Sequence, residues 1–141
     1  METNSIHYTD KISDVDAGEL TRLYTGIGWN REGYRTPEKT KIMLEDSKYF
    51  VAAYSGTLLV GFGRILADPY IAQILDVMVL PEFRKKGVAT EILNKIRSHC
   101  ENRYIGVSLI DGSGLAGFYE KFGFEAGNPG TERIMYWDPN K

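Results

Sequence analysis

The feature that most constrains this chain is a strand, a basic turn, an amphipathic helix and a second strand in direct succession. The run AQILDVMVL is typical of a buried strand and ends at Pro81, where a ladder N–H is no longer needed. From Val88 onward, Ala89, Leu93, Ile96 and Cys100 recur at helical spacing, and YIGVSLI has the pattern of another buried strand. This succession predicts a crossover unit in an α/β fold.

The rest of the chain adds a hairpin and shorter elements. SIHY is typical of a short strand, a first helix over residues 17–27 ends at the glycine of GIGWN, and Thr36-Pro37 predicts the start of a second helix. YFVAAY and TLLVGFGRILA around Ser55-Gly56 predict a hairpin, LAGFYEKFG a short helix and TERIMYW a last strand. The predicted order is β, α, α, β, β, β, α, β, α, β, which is a mixed α/β (α+β) class.

Composition limits the function classes. The chain has 141 residues, which predicts a single domain over 1–141. It is 43% hydrophobic with a net charge of −2, so its overall charge predicts no nucleic-acid or membrane partner. Cys100 is the single cysteine and there are two histidines, so neither a disulfide framework nor a zinc pattern is expected, and no metal. Without an apolar signal or spanning segment, a soluble cytoplasmic protein is expected.

The basic turn FRKKGVAT predicts an anion site. Arg84, Lys85 and Lys86 stand at the N-terminal end of a helix, where they oppose the helix dipole and call for a compensating negative group. Gly87 lets a ligand approach the unpaired N–H groups of that helix. A solvated basic turn is the alternative, and it stays open at this point. Neither a GxGxxG segment after a strand nor a P-loop GKS or GKT is present.

The same turn resembles the central motif of the GCN5-related N-acetyltransferases (GNAT), a family that uses acetyl-CoA. That motif is a strand followed by Arg or Gln, two residues, Gly, one residue and Gly or Ala, matched by the segment from Arg84 to Ala89. The resemblance implies a mixed, mostly antiparallel sheet flanked by helices, with two parallel strands splayed at the cofactor site. It assigns acetyl-CoA to these residues: Met78 and Val79 by their backbone, and Arg84, Lys85, Lys86, Gly87, Val88, Ala89 and Thr90 at the pyrophosphate.

A second family element lies near residue 120. Family members carry a small helix with A-x-x-Y that ends near G-F, and Ala116, Tyr119 and Gly123-Phe124 match it. The chain departs from the family at Ser113, where many members have Asn, and its hydroxyl is an alternative cofactor contact. The resemblance implies direct attack of an amine on the thioester, with the Tyr119 phenol beside the departing sulfur.

The acceptor amine needs a proton acceptor, because an alkylammonium has a pKa of ~10.4 and is almost wholly protonated at neutral pH. Asp76 is the first candidate, since a carboxylate in an otherwise apolar strand needs a partner or a purpose. An unperturbed aspartate titrates at ~3.9, which is low for a base. A structural acceptor role for Asp76 is therefore an equal alternative.

The acceptor itself is the least constrained prediction. In the family, the loop matching GIGWNREGYR lines the acceptor pocket, which assigns Trp29 and Tyr34 to substrate binding, beside Arg31 and Arg35. A loop merely anchored by two aromatics is the alternative. We expect a small-molecule primary amine as substrate. A protein or peptide acceptor, or a non-catalytic acyl-CoA-binding regulatory module, stays open, as does a homodimer.

Overall fold

The computed structural model describes residues 5–110, 116–125, 135 and 137–139. The chain forms two compact units, Met1–Ile110 and Asp111–Lys141, which are described separately here. The predicted last strand TERIMYW lies outside the described residues except for Met135 and Trp137. A single domain over 1–141 stays a prediction.

The described elements follow the predicted order as far as the second family motif, and the predicted α/β class is confirmed. The strands are β1 (Ile6–Thr9), β2 (Tyr49–Ser55), β3 (Leu58–Ala67), β4 (Ile71–Val79) and β5 (Gly106–Leu109). The helices are α1 (Ala17–Ile27), α2 (Pro37–Asp46), α3 (Val88–Cys100) and α4 (Ala116–Glu120). Two short 3-10 turns, Ile12–Asp14 and Pro81–Phe83, precede α1 and the basic turn.

The five strands form one mixed sheet in the order β1-β2-β3-β4-β5. The first four pair antiparallel, and β4 and β5 pair parallel. The hairpin turn falls at Gly56-Thr57, one residue later than predicted, because Ser55 still pairs with Leu58. The α3 crossover joins the two parallel strands, as the succession of elements predicted.

Local sequence signals set the ends of α1 and α2. Asp16 caps α1 by accepting the Glu19 N–H at 2.9 Å, and Thr36 caps α2 by accepting the Lys39 N–H at 3.2 Å. Gly28 ends α1 with a φ of +98°, a left-handed conformation that favours glycine. Gly28 and Thr36 therefore mark the two ends of the loop assigned to the acceptor.

The helices α1 and α2 cover one face of the sheet. Leu20 and Tyr24 of α1 are fully buried in a cluster with Phe50, Phe62 and Met78 of the three central strands. Phe62 pairs with Met78 across β3 and β4, so both side chains lie on this face. The apolar side of α1 therefore rests against the middle of the sheet.

The helix α3 covers the opposite face, and it lies unusually close to β3. A Cβ added at Gly63 would be 2.9 Å from Ile92 Cγ2 and 3.1 Å from Ile96 Cδ1, and one at Gly61 would be 3.1 Å from Val88 Cγ1. The branched side chains of α3 thus occupy the space that two absent side chains leave.

The buried face of α3 differs from the predicted one. The spacing predicted Ala89, Leu93, Ile96 and Cys100, whereas Ala89 and Cys100 are only partly buried. The structure buries Val88, Ile92, Leu93 and Ile96. The glycines of β3 explain the rotation, because they draw the Val88–Ile92–Ile96 row toward the sheet.

We predict that Gly63→Ala lowers the free energy of unfolding by about 1–3 kcal/mol, because the added methyl group overpacks the α3 contact. Chemical denaturation of the purified variant measures this loss. Gly106→Ala is the matched control, since a Cβ there meets nothing within 4 Å, and it should change stability by less than about 1 kcal/mol. Equal stability of the two variants would contradict the close packing of α3 on β3.

Candidate active site

The basic turn forms an exposed, positively charged entrance to α3. Arg84, Lys85, Lys86 and Gly87 are all exposed, and the helix begins at Val88. Lys85 and Gly87 both have a positive φ, of 63° and 84°. The turn therefore changes direction sharply, and glycine relieves the backbone strain at the second of these positions.

The N-cap residue of α3 is Gly87, which has no side chain to cap the helix. The first N–H groups of any α-helix lack intrahelical partners and carry the positive end of its dipole. A Cβ built on Gly87 meets no atom within 4 Å, so open space lies in front of these donors. Such an arrangement suits an anion such as a phosphate group, and the assignment of residues 87–90 to the pyrophosphate stays a prediction.

Arg84 ties the basic turn to the end of β4. Its Nε donates to the carbonyl oxygen of Val79 at 3.0 Å. Lys86 lies over the Phe83 ring, with Nζ 5.4 Å from the centroid. An arginine has five N–H donors, so Arg84 can hold the strand end with one of them and keep the others for a ligand.

The described pairing of the two parallel strands ends before this turn. Pairing between β4 and β5 runs from Ile71 opposite Gly106 to Ile74 opposite Leu109 and goes no further. The stretch from Leu75 to Val79 therefore has an unpaired edge toward β5 in the part of the chain that the structure describes. An extended ligand can hydrogen-bond to such an edge.

Met78 and Val79 were assigned to acetyl-CoA by their backbone groups, and only those of Val79 point away from β3. The Leu80 N–H donates to the Val60 carbonyl oxygen at 2.8 Å, so this pair is hydrogen-bonded across the sheet. Antiparallel pairs alternate, and therefore Met78 directs its backbone groups to Phe62 of β3. Val79 directs its N–H and carbonyl away from β3, toward the unpaired edge.

A β-bulge interrupts β4 at Asp76. Phe62 pairs with Met78 and Arg64 with Leu75, so Asp76 and Val77 together face the single residue between Phe62 and Arg64. Asp76 has a φ of 58°, in the left-handed region that aspartate tolerates better than most residues. The bulge turns the Asp76 carboxylate toward α1.

Asp76 lies in a partly buried network of three side chains. Its Oδ2 accepts the Tyr24 hydroxyl at 2.5 Å and the Arg64 Nε at 2.8 Å. The side chains of Arg64 and Asp76 are only 13% and 15% exposed, so water screens their ion pair weakly. Oδ1 of Asp76 has no hydrogen-bond partner in the described part of the chain.

The same network raises the pKa of Tyr24 well above that of a free tyrosine. Burial is the main cause, followed by the charge of Asp76 and the hydrogen bond to it, while Arg64 and Arg35 act in the opposite direction. Tyr24 is thus held in its neutral form, as a hydrogen-bond donor to the carboxylate.

The loop between α1 and α2 reaches this network through Arg35. The Arg35 Cζ lies 3.8 Å from the centroid of the Tyr24 ring, and its Nε donates to the Trp29 carbonyl at 3.2 Å. The two aromatics assigned to substrate binding are exposed, Trp29 by 41% and Tyr34 by 70%. The loop therefore presents aromatic surface next to a tyrosine-anchored arginine.

The structure thus places the basic turn, the end of β4 and Asp76 in the first unit, along successive parts of one strand and turn. Tyr119 lies on α4 in the second unit, and its site assignment stays a prediction. Ser113 lies outside the described residues. Sequence reasoning missed Tyr24, Arg64 and Arg35 as neighbours of Asp76. A usable signal existed for Arg64, a cation within the apolar strand that precedes the one with Asp76.

A separate cleft of about 680 Å³ lies between β1, the start of β2 and α3. His99 stacks on Tyr49 there with ring centroids 4.3 Å apart, and its Nε2 is 3.1 Å from the Tyr104 hydroxyl. Burial, Arg103 and Lys48 lower the pKa of His99. None of the predicted site residues that the structure describes lines this cleft.

The described residues contain neither a metal-binding cluster nor a membrane-spanning helix. No cluster of three or more His, Cys, Asp or Glu side chains could hold a metal ion. No described helix combines the length and apolarity needed to cross a membrane.

Comparison with known proteins gives concordant matches. A family model described as the acetyltransferase (GNAT) family matches residues 15–124. The GCN5-related N-acetyltransferase 2, chloroplastic, of Arabidopsis thaliana is 35% identical over 149 residues, which cover 89% of this chain and 56% of that protein. The chain therefore spans just over half the length of this curated relative.

Solved structures match over nearly the whole chain. A probable acetyltransferase from methicillin-resistant Staphylococcus aureus is 25% identical with a TM-score of 0.83, covering 95% of this chain and 99% of that one. A GNAT-family acetyltransferase from Streptococcus pneumoniae is 22% identical with a TM-score of 0.78, covering 97% and 100%. This second likeness shows the fold alone.

We predict that Tyr24 makes stability fall at alkaline pH. Because its pKa is higher in the folded chain than the ~10 of a free tyrosine, its contribution is complete below pH ~10 and declines above it. Tyr24→Phe should cost about 2 kcal/mol at pH 8, and this difference should shrink by up to ~1.4 kcal/mol per pH unit above pH ~10. Denaturant unfolding of both proteins from pH 8 to 11 measures it.

Phe50→Leu is the control, because it disturbs the same cluster without removing a titrating group. The free energy of unfolding of this variant should lie below that of the wild type by the same amount at every pH from 8 to 11. A Tyr24→Phe curve that also stays parallel to the wild type would contradict the assigned role of the phenol.

Proposed function

Because the chain belongs to the GNAT acetyltransferase family, we propose that it is an acetyl-CoA-dependent N-acetyltransferase that acts on a primary amine of a small molecule. The observation that supports this best is the basic turn that opens onto the uncapped start of α3. The family match over residues 15–124 includes parts of both compact units, which favours one acetyltransferase domain. A cytoplasmic location and a homodimer stay predictions from the sequence.

The residues of the turn fit the pyrophosphate of acetyl-CoA. A side chain at Gly87 would project into the open space in front of the helix, which is where a phosphate must approach the N–H groups. Lys85, Lys86 and the remaining donors of Arg84 supply charge at the same place. We assign the N–H groups of residues 87–90 to this contact, and the Ser113 hydroxyl as a further one.

The unpaired edge of β4 fits the pantetheine arm. The outward-facing backbone of Val79 provides the hydrogen-bonding groups, and Met78 contributes less because its backbone serves β3. Since Arg84 already donates to the Val79 carbonyl, the Val79 N–H is the group left for a ligand. The arm would then follow the strand back toward the bulge at Asp76.

Acetyl-CoA, when bound, supplies a thioester carbonyl, so that the amine nitrogen forms the new C–N bond as the C–S bond breaks. Asp76 Oδ1 can accept a hydrogen bond from the attacking amine, directly or through water. Arg64 and Tyr24 hold the other oxygen and fix the orientation of the carboxylate. This geometry supports a positioning role for Asp76 at least as well as that of a base.

We assign Tyr119 to the proton that the departing sulfur needs. A phenol has a pKa of ~10 and a thiol one of ~8.5, so full proton transfer is uphill by about 2 kcal/mol, which a catalysed reaction can accommodate. A hydrogen bond from the phenol would stabilise the thiolate without complete transfer.

Two alternatives have some support. The exposure of Trp29 and Tyr34 suits a peptide or a protein N-terminus as acceptor, because an open aromatic surface can accommodate a larger partner. The replacement of the family's common Asn by Ser113 suits a non-catalytic acyl-CoA-binding module.

We predict that Gly87→Gln abolishes micromolar binding of acetyl-CoA, because the side chain fills the phosphate approach. Isothermal titration calorimetry measures the affinity. Gly56→Gln is the matched control: this glycine also has a positive φ, of 61°, and open space around it, but it lies in the β2–β3 turn. Both variants should carry a similar backbone strain of about 1–2 kcal/mol, and the control should keep full affinity.

Failure of the folded wild-type protein to bind acetyl-CoA would reject the proposed function. Equal loss of binding in both variants would show that strain, and not the phosphate approach, is responsible.

We predict that Tyr119→Phe lowers kcat by about 10²-fold and leaves acetyl-CoA affinity unchanged, because the hydroxyl acts on the departing sulfur. A thiol-release assay with the best amine from a screen measures turnover. Tyr104→Phe is the control, since its hydroxyl meets His99 and lies outside the proposed site. Unchanged turnover of Tyr119→Phe would reject its assigned role.

A further inference from the structure

Arg35 is held rigidly at the surface of the Asp76 network. Asn30 fixes its backbone, accepting the Arg35 N–H at 2.9 Å through Oδ1 and donating to the Arg35 carbonyl at 3.3 Å through Nδ2. The Nε donates to Trp29 O at 3.2 Å, and the guanidinium covers the Tyr24 ring. Such a side chain loses little further entropy when it binds a ligand.

No described residue forms an ion pair with Arg35. Asp76 has its ion-pair partner in Arg64 at 2.8 Å, and no carboxylate of the described residues lies within 4.0 Å of Arg35. Its two terminal nitrogens also have no acceptor among those residues. Arg35 is only partly exposed, unlike the neighbouring Arg31, so solvent compensates its charge less completely.

One tyrosine side chain separates this cation from the acidic side of the network. Tyr24 carries the Arg35 guanidinium on its ring face and donates its hydroxyl to Asp76. Tyr24 is fully buried, so a small molecule would contact the partly exposed Arg35 guanidinium, which lies one aromatic ring away from the Asp76 carboxylate. An amine suits the carboxylate, and an oxyanion suits the forked donors of the guanidinium.

We infer that the acceptor is a small primary amine that also carries an oxyanion, a carboxylate or a phosphate, and that Arg35 binds this group. The inference rests on the proposed function, because it takes the α1–α2 loop as the acceptor side of the site. Arg35 then determines specificity without taking part in the transfer itself.

Calorimetric titration of amines into the protein loaded with coenzyme A tests this directly. Two matched pairs separate the two oxyanions: β-alanine against β-alaninamide, and phosphoethanolamine against ethanolamine. We expect the charged member of at least one pair to bind about tenfold more tightly than its neutral partner. Arg35→Gln should remove this preference, and 0.5 M salt should weaken it.

Arg22→Gln is the matched control, because it removes the same charge from an exposed position on α1. It should keep the wild-type preference. Arg35→Lys keeps the charge but loses the forked pair of donors, so it should retain only part of the preference for the charged amine. Acetyl-CoA affinity should be the same in all variants.

No preference for the charged member in either pair would overturn the inference, as would a preference that Arg35→Gln leaves intact. Absence of binding by all four amines would overturn it as well. These results differ from failure of the proposed function, which would appear as loss of acetyl-CoA binding by the wild type.

Discussion

The hydrogen-bond network around the Asp76 carboxylate joins α1, β3 and β4 in the first unit. A partly buried carboxylate is costly unless donors satisfy it, and here Arg64 comes from β3 and Tyr24 from α1. The carboxylate reaches both only because the bulge at position 76 redirects the strand. One side chain thus joins a helix to two strands and requires an irregular sheet.

That irregularity lies in the part of β4 that has no partner on its β5 side among the described residues. Parallel pairing stops at Ile74, and the bulge follows two residues later. After the bulge, the N–H group of Val79 points toward the unpaired edge, and Arg84 holds the strand end by donating to the Val79 carbonyl. The β3–β4 bulge, the unpaired edge and the basic turn therefore lie close together along one stretch of the chain.

The sequence predicted the features that depend on local signals. The basic turn, the start of α3, the cap at Thr36 and the end of α1 at Gly28 follow from glycine, charge and short-range hydrogen-bonding patterns. The need of Asp76 for a partner was also predictable, because a charge within an apolar run is rare. Sequence alone could not identify Tyr24 as that partner, since helical periodicity marks it only as a core residue.

The other failures also arise from contacts distant in sequence. The two bulged residues, Asp76 and Val77, are neither glycine nor proline, so the sequence of β4 does not indicate a bulge. Its effect on the pairing register appears only when β3 is placed beside β4. Two of the four residues predicted on the buried face of α3 are only partly buried. The spacing within a helix cannot reveal Gly61 and Gly63 on the opposing strand, which determine the face that packs. The position of Arg35 depends on the loop conformation that Asn30 sets.

The close contact between α3 and the glycines of β3 has a kinetic consequence for ligand capture. Val88, the first residue of α3, is 99% buried, and its Cγ1 lies just 3.1 Å from where a Gly61 Cβ would be. The helix donors behind the basic turn are thus anchored to the sheet before any ligand arrives. Binding an anion should therefore require little further ordering of the chain. The association rate should not be limited by a slow closing of the chain around the ligand.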